Sequence, residues 1–272
     1  MKTPLSELDL RRATGLDEAL GILRDEQRTP IAGATDVYVA LNFGTFAPRR
    51  FLDIWALDEL RTISIHEDRL VIGALTTYSS LIQSHLVNER VPMLVEASRL
   101  VGGVQIQNRG TLGGNIANGS PAADGVPVLS ATDAIIVLRS IDGERRVPIN
   151  SFYTGYRKTV MRPDELIVAV EIPPVEGAQW FRKVGTRAAQ AISKIVMAVV
   201  KAPSPRIALG SVAPTVIRVP QTEAALANGA SAADAAEILG REIVPIDDVR
   251  STADYRRRVA MNLLRRCFGE KV

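Results

Sequence analysis

Between residues 108 and 124 the chain reads Asn-Arg-Gly-Thr-Leu-Gly-Gly-Asn-Ile-Ala-Asn-Gly-Ser-Pro-Ala-Ala-Asp. Four glycines, three asparagines, a threonine, a serine and one carboxylate leave Leu112 and Ile116 as the only long apolar side chains. Glycine lets a backbone come close to a ligand and adopt angles that a Cβ forbids. Unpaired N–H groups in such a turn form a concavity suited to phosphate oxygens. The segment therefore reads as a binding loop for a large phosphorylated cofactor.

A second, shorter loop supports it. Thr29 to Ala32 reads as a short strand running into Ala32-Gly33-Ala34-Thr35-Asp36. This loop and Thr111-Leu112-Gly113-Gly114-Asn115 fall in different structural units, and each can present N–H groups and a hydroxyl to one diphosphate. A plain structural turn is the competing reading for the first loop. Asp36 suits either a ribose hydroxyl or a helix cap, and Asp124 either a ribose hydroxyl or the loop itself. Neither loop has the Gly-x-Gly-x-x-Gly spacing of a Rossmann site or the lysine of a P-loop, which disfavours a nicotinamide domain and an NTPase. Gly119-Ser120-Pro121 is not a nucleophile elbow.

Composition narrows the chemistry further. Cys267 is the one cysteine, and His66 and His85 are the only histidines. That excludes an internal disulfide and a thiolate-rich metal site, and makes a histidine-based one improbable. The chain reads as built to hold a cofactor that brings its own reactivity. No apolar run approaches the roughly 20 residues of a membrane span, and the N-terminus lacks the apolar region of a secretory signal, so a cytoplasmic location is expected. Net charge is +3, and the clearest basic cluster is Arg256, Arg257 and Arg258 with Arg265 and Arg266. A solvated helix face is its first reading and a protein contact the second. Without interleaved aromatics, nucleic acid is disfavoured.

The 272 residues allow one large domain or two to three small ones. Thr14-Gly15-Leu16-Asp17 resembles a capping box ahead of helically spaced Leu16, Ala19, Leu20 and Leu23. Arg50 to Ile54 reads as a strand. Leu60 to Ile65 and Leu70 to Leu75 read as a hairpin around Glu67-Asp68, and Thr76 is placed to cap a helix containing Leu81, Ile82 and Leu86. Pro92 suits the first turn of a helix over 93–101. Asp142-Gly143 marks a second hairpin, and a strand over 166–172 ends at Pro173-Pro174, the best linker candidate. Beyond it come a strand over 179–184, an apolar helix over 188–200, a strand near 206–212, alanine-rich segments at 222–228 and 231–239 and a final helix over about 253–267.

At the two loops the sequence resembles the FAD-binding, medium subunit of the molybdenum hydroxylases, the family of the flavin subunits of bacterial xanthine, carbon monoxide and N-heterocycle dehydrogenases. Residues 32–36 and 111–115 match its two fingerprints. The continuation through Asp124, Phe181-Arg182-Lys183-Val184-Gly185 and Gln190-Ala191-Ile192-Ser193-Lys194 match as well. Ala34 departs from the pattern, which usually has a second glycine there. A methyl group is tolerable at that position if the backbone angle is ordinary.

The resemblance implies an α+β, vanillyl-alcohol-oxidase-like fold. FAD-binding subdomains over 1–57 and 58–175 would clasp FAD, and a C-terminal domain over 176–272 would bring a three-stranded antiparallel sheet and a helix bundle. It implies that Ile31, Ala32, Gly33, Ala34, Thr35 and Asp36 hold the diphosphate together with Thr111, Leu112, Gly113, Gly114 and Asn115. Asn118 and Asp124 would meet the ribityl, the ribose or nearby backbone. Ile167 would pack on adenine or the isoalloxazine edge, and Lys183 would approach the flavin near N1, unless it is a plain surface lysine.

The implied partners are a molybdopterin-binding large subunit and a small subunit with two [2Fe–2S] clusters, in a dimer of heterotrimers. NAD, a quinone or another small molecule would accept the electrons. No catalytic side chain is expected in this chain. Two rivals remain open. One is a self-sufficient flavin oxidoreductase, for which Tyr153 and Tyr156 are the only nearby pair of candidate bases. The other is a non-catalytic assembly protein with a degenerate flavin site, to which Ala34 alone points.

Overall fold

The computed structural model describes residues 4–269. The chain begins with β1 (Asp9–Arg12), α1 (Leu16–Asp25), β2 (Thr29–Ile31), α2 (Thr35–Phe43) and β3 (Arg50–Asp53). The strands form a parallel sheet in the order β1-β3-β2. Parallel pairing puts the turns that follow all three strands at one end of the sheet, the end where open α/β sheets take ligands. α1 turns Ala19, Leu20, Ile22 and Leu23 into the core. The expected capping box does not form: Gly15 is the N-cap without a side-chain bond, and the Thr14 hydroxyl and N–H both donate to Glu18, at 2.7 and 2.8 Å. β1 has no sequence signal, because its four residues, Asp-Leu-Arg-Arg, are all exposed.

A larger unit follows. Its strands are β4 (Ile63–His66), β5 (Arg69–Gly73), β6 (Ile135–Ser140), β7 (Gly143–Pro148) and, after a small hairpin of β8 (Tyr153–Gly155) and β9 (Lys158–Thr159), β10 (Leu166–Ile172). The antiparallel order β4-β5-β10-β6-β7 puts the apolar β10 at the centre. Both expected hairpins form, with Glu67 and Asp68 in left-handed conformations at the first turn. Between β5 and β6 run α3 (Tyr78–Gln83), α4 (His85–Arg90), α5 (Pro92–Arg99), α6 (Val104–Arg109), α7 (Leu112–Asn118) and α8 (Val126–Ala131). Thr77, not Thr76, caps α3, and Ser84 splits the single expected helix by capping α4. The glycine-rich segment is itself helical from Leu112 to Asn118.

The last unit is a sheet of β11 (Ala178–Val184), β12 (Ile195–Lys201), β13 (Arg206–Gly210) and β14 (Ile217–Arg218), followed by α9 (Pro220–Ala227), α10 (Ala232–Glu242) and α11 (Ala253–Cys267). The sheet is antiparallel as expected but has four strands, the fourth only two residues long. The apolar helix expected over 188–200 is instead the strand β12. Its Val196, Ala198 and Val200 enter the core shared with the larger unit, while Ile195, Met197 and Val199 enter a second core against α10 and α11. A strand buried on both faces is apolar without interruption, so its period disappears.

Of the five C-terminal arginines Arg258 and Arg266 are exposed, whereas Arg256, Arg257 and Arg265 are bonded to neighbouring elements. Arg256 is 4 % exposed, and its guanidinium donates to the Ser211 carbonyl at 2.8 Å and to Asp248 at 2.6 Å. Arg257 donates to the Gly240 carbonyl at 2.9 Å, and Arg265 pairs with Glu237 at 2.8 Å. Arg256 thus ties α11 to the end of β13. Arg256→Met removes a charged donor from a buried carbonyl and unpairs Asp248, so urea unfolding should report a loss of about 2–3 kcal/mol. Exposed Arg266→Met, the control, should stay within about 0.5 kcal/mol.

Candidate functional site

The turn after β2 meets the end of α6, which leads through Gly110 and Thr111 into α7. A Cβ placed on Gly33 would lie 1.7 Å from the carbonyl oxygen of Arg109, so only glycine permits this approach. A side-chain bond closes the other end of the junction, where Asn118 Nδ2 donates to Asp36 Oδ2 at 3.1 Å. Arg157 donates to both the carbonyl and the side-chain oxygen of Asn118. Residues 31–36 and 111–118, distant in sequence, therefore form one site. Within it Asp36 holds Asn118 and does not cap α2. No side chain caps that helix, nor α1, α5, α6, α8 or α9, whereas hydroxyls cap α3, α4, α7, α10 and α11. Its first-turn N–H groups lack such a partner, which suits an anion.

Ala34 precedes α2 at φ 59°, ψ 13°. The angle is left-handed, not ordinary, and a Cβ there costs roughly 1–2 kcal/mol. Ala34→Gly removes that strain at a smaller cost in unfolded-chain entropy. Denaturant unfolding should show a gain of about 0.5–1 kcal/mol.

The segment 111–115 offers less free backbone than its composition suggests. Leu112 N–H donates to Thr76, Gly113 to Ala74, Gly114 to the Thr111 hydroxyl and Asn115 to the Thr111 carbonyl, at 2.8–3.1 Å. Gly113 is a glycine because a Cβ there would meet Ala74 at 2.7 Å. What the segment presents instead is side-chain polarity. Asn115 Oδ1, Thr76 Oγ1, the Tyr78 hydroxyl and Asp124 Oδ1 are buried without a hydrogen-bond partner among the described residues. Each such orphan in a folded core requires an explanation. Tyr78 and Thr76 had no sequence signal, since an aromatic and a threonine at a helix start look like core and cap.

Asp124 and Lys183 form a buried ion pair at 2.6 Å, and Lys183 Nζ also donates to the Leu100 carbonyl at 2.9 Å. Lys183, on β11, is thus no surface lysine: its side chain is 7 % exposed and its charge is turned toward Asp124. Beside it a cavity of about 270 Å³ is lined by Leu100, Arg182, Gly185, Arg187 and Gln190 among others. Ile167, on β10, is buried in the core of the larger unit. Burial pushes the Asp124 carboxyl up to about 6 despite the charge and hydrogen bond of Lys183, and burial with the charges of Asp124 and Asp36 pushes the Tyr78 hydroxyl up.

The ionised pair with Lys183 prevails above about pH 6, but the Asp124 carboxyl is raised above its unfolded value, so folding favours its protonated form at acid pH. That contribution is complete at low pH and is lost as pH rises through about 6. Lys183→Met takes away the counter-charge and raises Asp124 further. Its deficit in unfolding free energy should be small at about pH 5 and grow to about 3 kcal/mol by about pH 8.

Among the described residues there is no cluster of histidine, cysteine, aspartate or glutamate able to hold a metal ion, and no helix is long and apolar enough to cross a membrane. Residues 6–175 match the family model described as the FAD binding domain in molybdopterin dehydrogenase. Residues 177–271 match the CO dehydrogenase flavoprotein C-terminal domain. The chain is 31 % identical to the glyceraldehyde dehydrogenase medium chain of Sulfolobus acidocaldarius, over 97 % of this chain and 98 % of that one. It is 32 % identical to the xanthine dehydrogenase FAD-binding subunit of Escherichia coli O157:H7, over 96 % and 94 %. Its fold superposes on a chain of carbon monoxide dehydrogenase from Hydrogenophaga pseudoflava with a TM-score of 0.91 at 30 % identity, covering 98 % and 96 %. The fold, the paired loops and these matches agree: the chain belongs to the family of FAD-binding medium subunits of the molybdenum hydroxylases.

Proposed function

We propose that this chain is the electron-transfer subunit of a heteromeric molybdenum hydroxylase, holding FAD between the turn after β2 and the start of α7. The observation that carries the reading is the set of orphaned buried polar atoms at Thr76, Tyr78, Asn115 and Asp124, which lie in the second glycine-rich segment or are bonded to its backbone. Buried polar atoms without partners suit a ligand rich in hydroxyl and amide groups, and the uncapped start of α2 suits its diphosphate.

In this reading Ile31, Ala32, Gly33, Ala34, Thr35 and Asp36 hold the diphosphate from one side. On the other side Thr111, Leu112 and Gly113 form the buried base of the second loop, which meets the cofactor through the exposed Gly114 and the Asn115 side chain. Asn118 keeps the two sides together through Asp36, and the free oxygen of Asp124 accepts from a cofactor hydroxyl. Ile167 shapes the apolar wall on β10. Lys183 holds Asp124 in place and keeps a positive charge near the ring. FAD, when bound, supplies a carrier that collects electrons one at a time and delivers them as a pair.

The electrons come from [2Fe–2S] clusters of a small partner subunit and go to NAD, a quinone or another small acceptor. A large molybdopterin subunit hydroxylates the substrate, in a cytoplasmic dimer of heterotrimers. The side chains of this subunit bind, orient and exclude water, and none serves as acid or base to the organic substrate. The tyrosines support this division. Tyr153 donates its hydroxyl to the Ile116 carbonyl at 2.9 Å, and Tyr156 is exposed on the β8–β9 turn, so the pair does not converge as a catalytic base.

The purified chain should be yellow and release FAD on denaturation, without oxidising purines, aldehydes or N-heterocycles by itself. A colourless chain that takes up no added FAD overturns the reading, and substrate turnover by the isolated chain shows self-sufficiency instead. Gly114 is the exposed glycine of the second loop, and a Cβ there would meet only its own capping hydroxyl. Gly114→Val should therefore weaken FAD retention by about ten-fold or more, with a loss of about 1 kcal/mol in unfolding free energy as the Thr111 cap gives way.

A further inference from the structure

At the junction of the two loops a tryptophan stands between two arginines. Trp55 follows Ile54, whose N–H donates to the Ile31 carbonyl at 3.0 Å, so the indole begins beside the turn after β2. The Arg61 guanidinium lies 4.2 Å from the ring centroid and that of Arg109 lies 3.7 Å from it. Two guanidinium groups so near one centroid occupy opposite faces.

Their surroundings differ. Arg61 is fixed by the Trp55 and Leu75 carbonyls and by Asp58. Arg109 is exposed, and the indole is the one partner its guanidinium has among the described residues. Its own carbonyl is the atom that packs against Gly33.

The site needs a cation. Asp36 places a negative charge in the first loop, and a diphosphate adds two more. The other basic groups at the site are engaged, Arg157 by Asn118 and Lys183 by Asp124. We infer that Arg109, resting on Trp55, is a binding residue for the diphosphate of the cofactor. This rests on the flavin reading and adds to it a side-chain cation outside both glycine loops.

A planar guanidinium offers phosphate a two-toothed grip that lysine does not. Stacking on an indole limits the orientations from which that grip starts. The fixed charge of Arg61 on the far face repels Arg109, and an anion bound by Arg109 relieves that repulsion.

The test is titration of the full chain, stripped of flavin, with FAD, ADP and riboflavin, following heat or fluorescence. ADP carries the diphosphate without the ring, and riboflavin carries the ring without the diphosphate. Arg109→Met should weaken FAD and ADP together by about ten- to thirty-fold, leave riboflavin unchanged and flatten the salt dependence of FAD binding. Arg109→Lys should recover part of the loss, and Trp55→Leu should show a smaller fall of the same pattern.

Wild-type affinity for FAD and ADP in Arg109→Met overturns the inference, and so does an equal loss for riboflavin, which marks a purely structural role. If the wild-type chain itself takes up neither FAD nor ADP, the flavin reading fails first and this inference falls with it.

Discussion

The fold turns on the contact between the Gly33 backbone and the Arg109 carbonyl. It brings the parallel sheet at the N-terminus against the helical layer of the larger unit at a distance no side chain would allow. With that approach fixed, Asn118 reaches Asp36, Arg109 reaches Trp55, and the uncapped start of α2 opens beside α7. Glycine at this position acts through the space it leaves vacant. The two loops become one site because the peptide planes of two units touch.

The polar interior follows a different logic. α7 is held in place by hydrogen bonds that engage its first N–H groups with Thr76, Ala74 and Thr111. The Tyr153 hydroxyl satisfies the Ile116 carbonyl in the same helix. A helix so well satisfied in its backbone is a rigid platform. The polar atoms left over belong to side chains around it, buried and without a hydrogen-bond partner among the described residues. The pairing of Asp124 with Lys183 fixes one of these side chains from the neighbouring sheet.

How far the sequence foretold this depends on the range of each interaction. The two glycine-bearing segments stood out because their composition is local, and the hairpins at Glu67-Asp68 and Asp142-Gly143 announced themselves through turn chemistry. Gly113 was legible as a glycine but not for its reason, because Ala74 lies in another element. β12 gave no period because each of its faces has a core. Arg256 looked like a surface charge because its acceptors, Ser211 and Asp248, come from separate turns. Trp55 and Arg109 are 54 positions apart and carry no motif.

The alternation along β12 has a consequence for how the chain can be divided. The family pattern changes from one module to the next between residues 175 and 177. Yet Phe181, Val196, Ala198, Val200 and Ala208, all beyond that point, lie in the same core as the helices and strands before it. A cut at the diproline would strip the inner face of one sheet and expose the partner layer in the same stroke. The two modules are separable as text, but they share one core.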